Sequence, residues 1–177
     1  MRKILAAAFL FLFTQNSPLF AEKGTAVLHS TTGDSEIIGR AVLEDTPEGL
    51  KIQAEISKGT PGKHGFHIHQ FGDCGDAGKA AGGHYNPDGV PHGFLPKDGF
   101  AHAHAGDLGN IEIGEDATGK LEITVPEVTL GGGKYSVGGR SLVFHEKTDD
   151  FGQPTGNAGG RAGCGTILLT ENQVPAA

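Results

Sequence analysis

Residues 50–57 read LKIQAEIS, with Leu50, Ile52, Ala54 and Ile56 alternating against Lys51, Gln53, Glu55 and Ser57. A β-strand turns successive side chains to opposite faces, so this period of two sets an apolar face against a core and a polar face toward water. Leu121, Ile123 and Val125 repeat the pattern against Glu122 and Thr124. Further strand candidates fall at roughly 24–30, 35–45, 65–70, 109–114, 140–146 and 164–170. Turn signals separate them: Thr32-Gly33-Asp34, Thr46-Pro47-Glu48-Gly49 and Gly131-Gly132-Gly133. With thirty glycines, nine prolines and no 3.6-residue periodicity, the chain reads as all-β. About eight strands then predict a sandwich or barrel.

Two segments, 71–108 and 147–163, are long, glycine-rich and poor in strand pattern. Loops of that length in a compact domain are usually functional. The first carries His84, His92, His102 and His104. The glycine clusters 131–133 and 156–160 do not join a strand to a helix, so no nucleotide cradle is expected.

The chain opens MRKILAAAFLFLFTQNSPLFAEK. Arg2 and Lys3, a ten-residue apolar stretch from Ile4 to Phe13 and a polar run to Ala21 have the layout of a secretory signal. Ten residues are too few to span a bilayer, although an uncleaved anchor is the alternative. The expected organisation is a signal peptide at 1–21 and one domain at 22–177, exported to a periplasm or secreted. Cleavage would remove two positive charges and no negative ones, taking the formal charge from −7 to −9. An acidic chain without a basic run is a poor ligand for nucleic acid or an anionic membrane. In an oxidising compartment Cys74 and Cys164 have one possible pairing, and a disulfide is expected; two separate buried thiols are the alternative.

The stretch GFHIHQ at 65–70 puts His67 and His69 on one face of a strand and Phe66 and Ile68 on the other. The strand RSLVFHEKTDD delivers His145 on the face of Val143, with Asp149 and Asp150 just beyond. Imidazole suits copper and zinc, and a carboxylate among imidazoles favours zinc. His102 and His104 share a register, so spacing alone does not say which of them binds.

The stretches GFHIHQFGD (65–73), GGHYNP (82–87), HAGDLGN (104–110), VFHEKTDD (143–150) and TGNAGGRAGCG (155–165) together resemble the copper–zinc superoxide dismutases. The position of Cys74 and the short PTGNAGG loop look more like the bacterial exported branch. The resemblance implies an eight-stranded Greek-key β-barrel with the metals held outside it by two long functional loops. It implies one copper on His67, His69, His84 and His145, and one zinc on His84, His92, His104 and Asp107, with the His84 ring shared. Asp149 would accept hydrogen bonds from His67 and His92, and Arg161 would stand over the copper. The family disulfide also maps onto Cys74 and Cys164. HAGDLG matches the family up to Asp107 and so favours His104 over His102. His64 matches a non-ligand position, and His29 is expected at the surface.

The activity so implied is dismutation of superoxide to oxygen and hydrogen peroxide by alternating reduction and oxidation of copper, with His84 and Arg161 as the catalytic side chains. An anionic substrate meets a net-negative protein, so a local positive charge must dominate within a Debye length of about 8 Å. Arg161 is the chief candidate, with Lys97, Lys134 and Lys147 behind it. The second loop lacks charged residues between Asp150 and Thr155, which puts its part in steering in doubt. The alternative is an exported copper/zinc-binding or copper-delivery protein without catalysis, which would be expected to lack a copper ligand or the arginine. A zinc hydrolase is disfavoured because a fourth protein ligand closes the zinc site. A homodimer stays open beside a monomer, since the barrel faces give no clear signal.

Overall fold

A computed structural model describes residues 21–170, so all but the last residue of the expected signal peptide lies outside the described residues. The strands are β1 (Lys23–Ser30), β2 (Ile37–Thr46), β3 (Gly49–Ile56), β4 (Gly62–His69), β5 (Asp107–Ile113), β6 (Gly119–Val125), β7 (Ser141–His145), β8 (Arg161–Thr166) and β9 (Leu168–Thr170). Among the described residues the one α-helical element, α1, is a single turn at Leu95–Asp98. The sheet order is β2-β3-β6-β5-β4-β7-β8-β1, and β1 pairs again with β2, which closes the barrel. Every pairing between these strands is antiparallel. β9 prolongs the path of β8 past a break at Ile167 and runs beside β1, so the two are one interrupted strand of an eight-stranded barrel. The pairings β3–β6 and β4–β7 are the long-range steps of a Greek key.

The alternating stretches form the wall that the pattern predicts. Leu50, Ile52, Ala54 and Ile56 are buried, and Leu43–Ile52–Ile123 forms one row across β2, β3 and β6. The opposite face carries the cross-strand ion pairs Lys51–Glu122 and Lys120–Glu55. Gly49 lets β3 start with φ 126°, hard against β6, where a Cβ would lie 2.3 Å from the Val125 carbonyl oxygen. No L side chain is tolerated there.

β4 and β7 depart from this one-sided burial, and the departure positions the site. From His64 to His69 every residue of β4 is buried, as is every residue of β7. Phe66 and Phe144 pair and fill the barrel, as do Ile68 and Leu142. His67, His69 and His145 point the other way and are covered from outside by the two long loops, residues 70–106 and 146–160. The barrel is thus a rigid platform with three imidazoles on its outer wall. Cys74 of the first loop is bonded to Cys164 of β8, with a Cα–Cα distance of 5.7 Å. Across a separation of 90 residues this cross-link is worth about 4–5 kcal/mol in the chain-entropy account.

Candidate metal centre

His67 and His69 stand two residues apart on β4, and β7 brings His145 beside them from the neighbouring strand. The first loop returns to the same wall. Gln70 N–H donates to the Gly83 carbonyl, Tyr85 N–H donates to the Ile68 carbonyl, and His69 and His84 form an isolated antiparallel bridge. A segment far from β4 in hydrogen-bond pattern is thereby tied to its end, and the His84 ring lands 4.1 Å from that of His67. His67, His69, His84 and His145 form one buried group whose donor atoms lie within 4.8 Å of one another.

The second group is His84, His92, His104 and Asp107, also entirely buried. Asp107 opens β5 directly opposite His67. Its Oδ1 lies 2.8 Å from His84 Nδ1 and 3.1 Å from His104 Nδ1, and its Oδ2 lies 2.8 Å from His92 Nδ1. The backbone N–H groups of Gly93 and His104 donate to Oδ2 and orient the carboxylate. Asp149 joins the groups from outside, accepting from His67 Nε2 at 2.8 Å and from His92 Nε2 at 3.0 Å. His84 belongs to both donor groups, one of four imidazoles and one of three imidazoles and a carboxylate.

Burial favours the neutral ring at His84 and His145, and the carboxylates beside the histidines stay ionised. Burial pulls His84 down to about 4, against the opposing hydrogen bond from Asp107, and pulls His145 down to about 3. Both therefore present a lone pair at neutral pH. Burial also lowers His92, but its hydrogen bonds to Asp107 and Asp149 outweigh that and hold it up at about 9. Burial would raise Asp107 and Asp149, yet the imidazoles around them hold both well below the usual carboxylate range.

Copper and zinc fit these donors. The Nδ1 atom of His67 is buried and makes no hydrogen bond, while Asp149 holds its opposite nitrogen; His92 is held by Asp149 at Nε2 and turns Nδ1 to Asp107 Oδ2 within its own donor group. A ring anchored at one nitrogen and free at the other is oriented as a metal ligand. His69 follows the same plan: its Nδ1 donates to the Gly82 carbonyl at 3.0 Å, and its Nε2 lies 3.2 Å from His145 Nε2.

Arg161, the first residue of β8, is partly buried beside these rings. Its guanidinium donates to the Gly78 and Gly82 carbonyls, and Gly82 is the same carbonyl that holds His69. His102 is exposed while His104 is buried. His64 is buried and bonded to the His145 and Thr60 carbonyls, and His29 lies on the surface. Lys134 is paired with Asp88, whereas Lys97 and Lys147 are exposed. Sequence reasoning missed the Gly78 and Gly82 carbonyls and the Gln153 side chain that grips the His92 backbone. Backbone acceptors carry no residue-type signature, and Gln153 gave no motif; only Gly82 stood inside a recognised one.

The copper/zinc superoxide dismutase family model matches residues 25–167. The extracellular Cu-Zn superoxide dismutase of Caenorhabditis elegans is 44% identical over 148 residues, spanning 79% of this chain and 65% of that protein. Cu-Zn superoxide dismutase 2 of Brassica juncea is 41% identical over 161 residues, spanning 83% of this chain and 97% of its own. The crystal structure of the clock protein EA4 has a TM-score of 0.73 at 32% identity, covering 89% of this chain and all of that one. The chain belongs to the copper/zinc superoxide dismutase family, and copper and zinc are its metals.

Proposed function

We propose that the chain is an exported superoxide dismutase of the bacterial type, with residues 1–21 as a cleaved signal and 22–177 as the enzyme. The observation that carries the catalytic reading is the single ring, His84, common to two buried donor groups of different chemistry. Copper belongs on His67, His69, His84 and His145, because four imidazole nitrogens suit a metal that changes oxidation state. Zinc belongs on His84, His92, His104 and Asp107, because the carboxylate adds charge to a closed four-ligand set. When bound, copper supplies the one-electron couple by which one superoxide is oxidised to oxygen and another, with two protons, is reduced to hydrogen peroxide.

The protein's part is to hold and to attract. The β4 and β7 strands fix three imidazoles on a wall that cannot deform without breaking the barrel. His84 turns Nδ1 toward Asp107, which leaves Nε2 for the four-imidazole group and makes it the atom able to hand a proton to a departing product. Asp149 keeps His67 and His92 in register with each other. Arg161 draws the superoxide anion in: two backbone carbonyls set the direction of its guanidinium, and its partial burial keeps the charge less screened than an exposed lysine would be. The extracellular worm relative and the secretory layout of residues 1–21 support export.

Three outcomes are expected. N-terminal sequencing of protein recovered outside the cytoplasm reads Glu22 first; an intact Met1 in that fraction overturns cleavage. On metal analysis, His104→Ala loses most of its zinc while His102→Ala keeps a full complement; the reverse order would reassign the ligand. In pulse-radiolysis measurements of superoxide decay, Arg161→Ala with both metals present is slower by about 10-fold or more, within the range that local charge contributes to encounter rates. An unchanged rate removes Arg161 from the mechanism.

A further inference from the structure

His92 lies in residues 89–94, which belong to no strand or helix. Its backbone polar groups therefore have no ladder to pair with, and a buried peptide needs partners. Gln153 supplies both: its Oε1 accepts the His92 N–H at 3.0 Å, and its Nε2 donates to the His92 carbonyl at 2.8 Å. A side-chain amide carries a donor and an acceptor side by side and so copies the pairing of a peptide group.

The rest of the second loop closes on the same residue. The Phe151 ring stacks on the His92 ring with centroids 6.3 Å apart and an interplanar angle of 19°, and it packs against Phe94 at 6.0 Å. The Phe151 N–H donates to Asp149 Oδ1, the carboxylate that holds His92 Nε2. Gly156, at φ 76°, lets the loop lie on that pair: a Cβ there would sit 1.8 Å from Asp149 Oδ1 and 2.7 Å from His92 Nε2. From Phe151 to Gly160 the loop has no charged side chain with which to steer an anion.

We propose that this short loop is a latch on the zinc side, in which Gln153 and Phe151 are positioning residues that keep His92 in its ligand group and slow the loss of zinc. The proposal rests on the reading of His92 as a zinc ligand. Gln153 is exposed, so water replaces its hydrogen bonds when it is removed and the fold itself changes little. What is lost is the barrier to residues 89–94 swinging away with His92.

The test is the rate at which excess chromophoric chelator strips zinc from protein loaded with copper and zinc. Gln153→Leu and Phe151→Ala are each expected to release zinc about 10-fold faster than the unsubstituted protein, the low end of the effect of removing groups that orient ligands. Gln153→Glu keeps the acceptor and lacks the donor, and is expected to fall between. The melting temperature of the metal-free Gln153→Leu protein stays close to that of the parent. Equal release rates from proteins that hold zinc overturn the latch alone. A metal-free melting temperature that falls in step with the release rate also overturns it, because that marks a general structural role. If the parent protein takes up no zinc, the ligand reading fails and the latch with it.

Discussion

The antiparallel bridge between His69 and His84 is the contact on which the site depends. β4 can place two imidazoles on the outer wall by its own alternation, and β7 adds a third across the ladder. None of these three rings belongs to the group built on Asp107. Only when residues 83–85 pair back onto 68–70 does a fourth ring arrive, with one nitrogen turned toward Asp107. The bridge consists of backbone hydrogen bonds, so it is insensitive to the identity of the loop residues between, and the loop is free to carry the disulfide and the carbonyls that grip Arg161.

Around that bridge the two long loops are held together by buried charge as well as by the packing of Phe151 on Phe94 and His92. Asp107 and Asp149 are fully buried carboxylates, a costly arrangement unless every oxygen is matched by a donor. Here each oxygen faces imidazole nitrogens or backbone N–H groups. Asp107 belongs to the edge of the barrel and Asp149 to the second loop, with His92 between them. The first loop is thus pinned at its middle by groups from two other parts of the chain. This is why a donor in an irregular segment is as well placed as one on a strand.

Much of this was legible in the residues. The LKIQAEIS alternation, the GFHIHQ pair and the turn glycines each follow from local geometry, and the strands they predict are observed, with β4 and the last strand starting a few residues early and the latter broken at Ile167; the Greek-key path came from the resemblance. The ligand candidates came from residue types and from the resemblance; the spacing of His102 and His104 did not separate them, because burial is a tertiary property. The supports for Arg161 and the Gln153 clasp were invisible for the same reason. Each depends on backbone atoms brought together by loop closure, and no periodicity reports that.

The central claim is that one ring links two different metals. Anomalous-scattering maps collected above and below the copper and zinc absorption edges, on crystals of the protein loaded with both, test it most directly. The account predicts two separate peaks, copper beside His67, His69 and His145 and zinc beside His92, His104 and Asp107, with the His84 ring between them. A single peak, or a His84 ring turned away from either one, would contradict it.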